Sequence, residues 1–288
     1  MIMTTFYNKA SLLYNGTVTT SNTVSGTIAD AIEITKTPLI SSYALGNDVT
    51  YIVSITTGGK AISGITITDD LGRYEYGEGT LVPLTYTDGS LKYYVGGALM
   101  TTPSITATSP LTISGIDIPA NGNAMLIYSA KVNEQAPLSV GSTITNSVSA
   151  SGASCSGAAA SSAINALEQP ILSVIKALEP AAVDASGSVT YTLTISNSGN
   201  TALTQDGNAI ISDVFTPPLE LTSVTLNGTA LSSPTDYTYN AATGEFSTVG
   251  GQITVPAAEF SRDTAGALSI TPGTSVLKIS GIVRCGGQ

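Results

Sequence analysis

Apolar and polar residues alternate along most of the chain, in short runs that glycine, asparagine, aspartate and proline interrupt. Residues 65–71 (ITITDDL) and 143–150 (TITNSVSA) show the pattern, with an apolar side chain at nearly every second position. A period of two predicts half-buried strands, and the interrupting residues predict tight turns between them. Short strands at this spacing indicate an all-β fold of immunoglobulin-like sandwiches.

The pattern occurs twice, which indicates two tandem units of one fold. GNDVTYIVSITTGG matches ASGSVTYTLTISNSG, so that Tyr51 corresponds to Tyr191, and ITKTP matches VIKAL, so that Lys36 corresponds to Lys176. Between the repeats lies a stretch of small residues that ends at Pro170, which is typical of a linker. The predicted organisation is an N-terminal donor strand with its linker (1–30), domain 1 (31–152), a linker (153–170) and domain 2 (171–288).

The second repeat lacks a match for the strand that ends the first, residues 141–152. That match is found at the other end of the chain, where TFYNKASL (5–12) aligns with TITNSVSA and places Asn8 on Asn146. The strand with Asn146 closes the domain that precedes its linker. By analogy, the strand with Asn8 closes a domain that precedes domain 1, which favours a domain of another molecule over domain 2 of the same chain. We therefore expect head-to-tail donor-strand complementation of domain 2, with an inward face of Phe6, Asn8, Ala10 and Leu12.

Polar side chains interrupt the apolar faces of the predicted strands at matching places in both repeats. Because strand side chains alternate, the inward set contains Lys36, Asp69 and Asn146 in domain 1, and Lys176 and Asp213 in domain 2. Burial lowers the pKa of a lysine and raises that of an aspartate, which gives a neutral amine beside a carboxylic acid. Such an amine can attack the asparagine amide and release ammonia. The alternative is a buried salt bridge with an amide cap, or lysine side chains that reach the surface.

The run ITKTP…GNDVTYIVSITTGG…ITITDDL…TITNSVSASG resembles the bacterial surface-protein repeat of the domain-of-unknown-function family eleven. It is similar to collagen-adhesin-type domains that carry internal isopeptide bonds, and the resemblance covers both repeats. It implies that Lys36 and Asn146 are linked and that Asp69 is the catalytic acid. In the second repeat Lys176 and Asp213 match but the asparagine is missing, which makes Asn8 of another subunit the expected partner, with Asp213 as proton shuttle.

Composition limits the function further. Only 10% of the 288 residues are charged, the net charge is −10, and histidine is absent. The negative charge argues against nucleic acid and anionic membranes as partners, and no apolar run is long enough to span a bilayer. The start of the sequence shows no signal-peptide core, so we expect either a signal already removed or another export route. The usual catalytic constellations are missing, and we expect no enzymatic turnover, no cofactor and no metal.

Two cysteines remain, Cys155 in the predicted linker and Cys285 after the last strand of domain 2. They are too few for a disulfide framework. The alternatives are a disulfide between subunits or filaments and two unpaired thiols, and we favour the cross-link.

These features favour a structural subunit of an extracellular bacterial fibre, either pilus-like or a spore appendage, on the cell or spore surface. Its partners are identical subunits, joined head-to-tail, and the sequence specifies no receptor. Two alternatives act as monomers: an adhesin or ligand-binding module, for which Tyr93, Tyr94, Tyr237 and Tyr239 are the hints, and a surface-layer stalk protein. The size of the protein in solution separates these alternatives from the fibre.

Overall fold

The computed structural model describes residues 4–28, 32–152, 158–184 and 187–283. Their regular structure is β-strand apart from one short 3₁₀ turn, Gln205–Gly207, which confirms the predicted all-β class. The main division of the chain into two compact units lies between Ala166 and Leu167. Both predicted disulfide cysteines, Cys155 and Cys285, lie outside the described residues.

Residues 4–28 form a two-stranded arm in which the chain folds back on itself, and each side of the arm consists of two short strands. The turn at Asn15-Gly16 has positive φ at both central residues, 46° and 77°, the geometry that suits the twist of a two-residue hairpin. Strand β1 pairs antiparallel with β4, and β2 with β3. The strands are β1 (Thr4–Asn8), β2 (Ser11–Tyr14), β3 (Thr17–Thr20) and β4 (Val24–Ile28).

This arm corrects the prediction of a lone strand followed by a linker over residues 1–30. The predicted strand is divided between β1 and β2, and much of the predicted linker forms β3 and β4. The sequence carried the signal, because Asn15-Gly16 stands between two runs with strand propensity. Large apolar side chains of the arm, among them Phe6, Leu12, Tyr14 and Val24, are exposed.

Domain 1 is a sandwich of two six-stranded sheets. Its strands are β5 (Ile32–Pro38), β6 (Ser42–Tyr43), β7 (Asp48–Thr57), β8 (Ile62–Asp69), β9 (Tyr74–Tyr76), β10 (Gly79–Leu81), β11 (Leu84–Tyr86), β12 (Lys92–Val95), β13 (Ala98–Leu99), β14 (Ser104–Thr108), β15 (Leu111–Ile118), β16 (Asn123–Val132), β17 (Thr143–Ser151) and β18 (Ala159–Ala166). The first sheet has the order β13-β12-β16-β7-β5, with β11 also on β16, and the second has the order β14-β15-β8-β17-β18-β6.

The alternation in the sequence determines which side chains lie between these two sheets. Along β7 the buried positions are every second residue from Val49 to Ile55, and Tyr51 is one of them. Ile65 and Ile67 of β8 fill the core from the second sheet. The core is therefore the interdigitation of the two inward faces, as in other aligned sandwiches.

Strand β18 corrects the predicted linker of residues 153–170. It pairs antiparallel with β17 along seven residue pairs, from Thr143↔Asn165 to Ser149↔Ala159. Its inward side chains include Ile164 and Ala166, both buried. The sequence AASSAINA concealed this strand, because alanine and serine at inward positions give little hydrophobic contrast.

Domain 2 has one complete sheet and a small second one. Its strands are β19 (Leu172–Glu179), β20 (Ser188–Asn197), β21 (Ser212–Val214), β22 (Leu219–Leu226), β23 (Thr229–Ala230), β24 (Tyr237–Asn240), β25 (Glu245–Thr248), β26 (Glu259–Arg262), β27 (Leu268–Thr271) and β28 (Gly273–Val283). The first sheet has the order β19-β20-β28-β22-β23 and the second has β21-β25-β24, while β26 and β27 form a hairpin.

The second sheets of the two domains differ by more than the one strand expected. The series β14-β15-β8 corresponds to β24-β25-β21, with Asp69 at the end of β8 and Asp213 in β21. In domain 1 the sheet continues through β17 and β18. Among the described residues of domain 2, no strand takes either place, so β21 is an edge.

Candidate isopeptide sites and an open strand face

Three predicted site residues lie together inside domain 1. Lys36 projects from β5, Asp69 from the end of β8 and Asn146 from β17, and all three are buried. Lys36 Nζ forms an ion pair and hydrogen bond with Asp69 Oδ2. Because strands of both sheets contribute, the sandwich itself holds the lysine against the aspartate.

Both carboxylate oxygens of Asp69 have partners. The backbone N–H of Leu71 donates to Oδ1 at 2.9 Å, and the hydroxyl of Tyr128 donates to Oδ2 beside the lysine. The Lys36 ammonium also lies 4.7 Å from the ring centroid of Tyr51, which stacks on Tyr128 with 5.8 Å between ring centroids. Ion pair, hydrogen bonds and aromatic faces together offset part of the desolvation cost of the two buried groups.

Only the oxygen of the Asn146 side-chain amide has a hydrogen-bond partner of normal geometry. Its Oδ1 accepts a hydrogen bond from the backbone N–H of Gly72 at 3.2 Å, whereas its buried Nδ2 has no hydrogen-bond partner of normal geometry. An unsatisfied buried polar group costs about 1–3 kcal/mol. The donated hydrogen bond polarises the carbonyl towards nucleophilic attack, and the amide nitrogen is the group that such an attack would expel.

The electrostatics of this cluster shift Lys36 towards its neutral amine. Burial lowers the pKa of Lys36, and the neighbouring Asp69 opposes the shift without cancelling it. Burial likewise raises the pKa of Tyr128, with the charge of Asp69 adding to the shift, so this phenol stays protonated as a donor. Burial raises the pKa of Tyr51, and Asn146 opposes that shift as a weak hydrogen-bond donor, which places the asparagine beside the aromatic group that lines the lysine.

Three contributors to the site escaped the sequence analysis. Tyr51 and Tyr128 are inward tyrosines paired across β7 and β16, and an inward tyrosine needs a partner for its hydroxyl. Gly72 has φ +75°, and a Cβ there would lie 2.6 Å from Ile144 Cγ2. The sequence signals were an inward tyrosine in each of two neighbouring strands and a glycine directly after Asp-Asp-Leu.

Domain 2 places its matching lysine and aspartate in the same pairing but near solvent. Lys176 Nζ pairs with Asp213 Oδ2 and lies 4.6 Å from the ring centroid of Tyr191, the counterpart of Tyr51. The side chain of Lys176 is 40% exposed, whereas that of Lys36 is fully buried. The position of Tyr128 is taken by Ile279, which pairs with Tyr191 as Tyr128 pairs with Tyr51. Among the described residues, the domain 2 pair therefore has no tyrosine hydroxyl on its aspartate, no asparagine beside its lysine and no strand over it.

The strand that carries Lys176 is uncovered along its length. Leu172 and Val174 of β19 are 44% and 55% exposed, whereas Ile32 and Ile34, at the matching positions of β5, are 9% exposed each. Ile210, two residues before β21, and Val214, the last residue of β21, are also exposed. We call the inward side of β19 together with the free edge of β21 the acceptor face.

The remaining predicted residues are those of the donor strand, which lie in the arm, and the tyrosines, which lie on strands of the two domains. Phe6 and Asn8 lie on β1, Ala10 follows it and Leu12 lies on β2, and all four are exposed. The tyrosines considered for ligand binding contribute to packing instead: Tyr93 and Tyr239 donate hydrogen bonds to the backbone oxygens of Asp117 and Leu219, and Tyr237 stacks on Phe246. Tyr94 pairs with Met125 within the first sheet of domain 1.

Comparison with known proteins gives no family assignment. No protein-family model matches the chain, and no curated protein matches it. Among solved structures, it is similar to the pilus backbone RrgB of Streptococcus pneumoniae (10% identity, 89% of this chain and 99% of the other, TM-score 0.31). It is also similar to the sporulation control protein Spo0M of Bacillus subtilis (8%, 59% and 74%, 0.30) and to a type II cohesin dyad of the ScaA scaffoldin of Acetivibrio cellulolyticus (12%, 88% and 86%, 0.23). Similarity this distant carries no argument about function.

No helix within the described ranges has the length and apolar character needed to cross a membrane.

Proposed function

We propose that this protein is the structural subunit of an extracellular bacterial fibre, pilus-like or a spore appendage. Subunits polymerise head-to-tail when the N-terminal strand of one chain completes domain 2 of the next. A Lys36–Asn146 isopeptide bond strengthens each subunit, and a Lys176–Asn8 bond joins neighbours. The repeats are then relatives of the surface-protein repeats that the sequence resembles.

One contrast carries the proposal. Domain 1 covers Lys36 and Asp69 with a strand that supplies Asn146, whereas domain 2 leaves Lys176 and Asp213 under an uncovered face. The same chain has an exposed strand with Asn8 at the position that aligns with Asn146. An open edge and an exposed apolar face are liabilities unless another strand fills them.

The chemistry in domain 1 needs only the residues present. A proton moves from the Lys36 ammonium to the Asp69 carboxylate, which leaves a neutral amine that attacks Cγ of Asn146. The Nζ–Cγ bond forms, the backbone N–H of Gly72 stabilises the developing oxyanion, and the second amine proton reaches Nδ2 through Asp69. The Cγ–Nδ2 bond then breaks, and the leaving ammonia takes up the proton that Asp69 first accepted and departs as ammonium, so Asp69 returns to the carboxylate. This is a single self-reaction and involves no turnover.

The same step between subunits requires the donor strand to bury the site first. In the free subunit the side chain of Lys176 is 40% exposed, so water reaches it. Covering β19 removes that water, which favours the neutral amine and strengthens the interaction with Asp213. Reaction is thereby coupled to correct docking.

Apolar burial provides the driving force for docking. Covering a large apolar side chain completely contributes about 1.5–3 kcal/mol, and both the acceptor face and the arm expose several such side chains. The ordering of the chains opposes association. A covalent joint would then make the fibre kinetically resistant to denaturants and proteases.

Denaturing gel electrophoresis with intact mass, after boiling in reductant, tests the proposal. Wild type should give a ladder of multimers in which each joint has lost one ammonia, with a further ammonia lost within each subunit. Asn8→Ala and Lys176→Ala should abolish the ladder but keep the loss within the subunit. Lys36→Ala should keep the ladder but abolish the loss of ammonia within the subunit.

Electron microscopy of the native sample completes the test. Fibres with monomers on the denaturing gel would restrict the proposal to a noncovalent joint. Soluble monomers of wild type at all concentrations would contradict the fibre and favour a module that acts alone.

A further inference from the structure

We infer that the donor is the whole two-stranded arm rather than a single strand, so that β4 enters the acceptor domain together with β1. This rests on the proposed function and changes the interface. In this arrangement β1–β2 takes the place of β17, β4 takes the place of β18, and the second sheet of domain 2 grows from three strands to five.

Over β1 and β4, the arm has the pairing of the hairpin that it would replace. In domain 1, Asn146 pairs with Ser162 and Ile144 with Ile164. In the arm, Asn8 pairs with Val24 and Phe6 with Gly26. Both hairpins lead directly into the first strand of the following domain, β19 after β18 and β5 after β4. The arm is thus placed before domain 1 as β17–β18 is placed before domain 2.

Strand β18 has a specific task in domain 1 that β17 alone does not perform. It is the strand of the second sheet that contacts β5 most extensively, and β5 carries Ile32, Ile34 and Lys36. Without β18, the inward face of β5 would resemble that of β19, where every residue is exposed. A single donor strand would leave Leu172 and Val174 largely uncovered, whereas Val24 on β4 would lie over them.

The side chains of the arm are matched to each other across its two strands. The ring of Phe6 lies over Gly26, where a Cβ would be only 2.5 Å from Phe6 Cζ. In domain 1 the same pair is Ile144 and Ile164, two side chains of similar size. One large residue and one glycine thus fill the same layer together, which favours docking of the two strands as one unit.

The donor strand has two edges, so it can pair with β4 and with the acceptor domain at the same time. In domain 1, β17 uses one edge to pair with β18 and the other to pair with β8, where Val148 is opposite Asp69. By the same register, Ala10 would be opposite Asp213 of the partner while β1 keeps its pairing with β4. Docking therefore needs no hydrogen bond of the β1–β4 ladder to break.

A reversible lock across the arm tests this directly. Tyr7 and Ser25 are opposite each other on the outward face, and antiparallel partners lie within the Cα separation of a disulfide. We would make Tyr7→Cys/Ser25→Cys in the full chain with Cys155→Ser and Cys285→Ser, and follow fibre formation by light scattering with the disulfide oxidised or reduced. The parent Cys155→Ser/Cys285→Ser is the control.

If the arm docks as a hairpin, the oxidised and reduced chains should assemble at rates within about twofold of each other. Assembly that is lost on oxidation and restored by reduction would show that β1 must leave β4, and would overturn the inference. A parent that does not assemble would instead refute the proposed function.

A second comparison uses one charge on each face of β4. Val24→Asp should reduce assembly at least about tenfold, because the inward carboxylate would be buried against Leu172 and Val174, while Ser25→Asp on the outward face should assemble like wild type. Both positions are exposed in the free subunit, so neither change should unfold it. Normal assembly of Val24→Asp would overturn the inference even if wild type forms fibres.

Discussion

At the scale of single residues, the difference between the two lysine–aspartate pairs is one of surroundings rather than of pairing. Each lysine contacts its aspartate and a tyrosine ring. Only Asp69 also receives a hydroxyl, from Tyr128. Since that hydroxyl and the N–H of Leu71 hold the carboxyl group between them, Tyr128 orients the proton carrier towards Lys36.

Removing that hydroxyl should slow the reaction in domain 1. A hydrogen bond to a charged group is worth about 1.5–3 kcal/mol, so Tyr128→Phe should form the Lys36–Asn146 bond about 10–100-fold more slowly after refolding. Loss of ammonia, followed by intact mass against time, measures this rate.

Tyr86→Phe is the matched control for Tyr128→Phe. Tyr86 packs on Tyr128 with 6.4 Å between ring centroids, and its own buried hydroxyl has no partner. Removing this hydroxyl should leave the rate unchanged. Equal rates for the two variants would show that Asp69 is oriented without Tyr128.

At the scale of strands, the sequence predicted inward faces well but missed some strands entirely. Alternation predicted the all-β class and located Lys36, Asp69 and Asn146 on inward faces. It could do so because β-branched residues at every second position fit the two-residue period of a strand and not the period of a helix. It missed β18, whose inward face is mostly alanine and serine, and it reduced the arm to one strand. Tyr128 could not be linked to Asp69 from sequence, since the two residues are 59 positions apart and meet only across the sandwich.

The free edge of β21 makes a testable difference between the free and the assembled subunit. Backbone amides of Ser212–Val214 should gain at least about 100-fold protection from hydrogen exchange on assembly, because the donor strand would pair with this edge. A Phe6→Asp chain, whose inward donor residue is charged, supplies the unassembled reference.

Strand β8 is the internal control for that experiment. It is already paired on both sides, with β15 and β17, so its amides should exchange equally slowly in both samples. Assembly that leaves exchange in β21 unchanged would show that the subunits join elsewhere.

At the scale of the whole molecule, the proposed assembly uses one donor arm and one acceptor face of each chain, and these are different surfaces. A heterologous contact of this kind would give an open filament wherever its rotation does not close into a ring. In the proposed assembly, the net charge of −10 would make free subunits repel at long range. A symmetric dimer, and a monomer whose arm folds onto its own domain 2, would be built from the same single kind of chain as the filament. An experiment is needed to distinguish these three arrangements.

Mixing two disabled chains makes that separation. Phe6→Asp removes the donor and leaves the acceptor, while Val174→Asp removes the acceptor and leaves the donor; each substituted side chain is exposed in the free subunit. Each variant alone should remain monomeric, and an equimolar mixture should give heterodimers and nothing longer, because one intact donor meets one intact acceptor. Size-exclusion chromatography with light scattering measures this. Dimers of either variant alone would indicate a symmetric contact, and a mixture that stays monomeric would indicate an arm that completes its own chain.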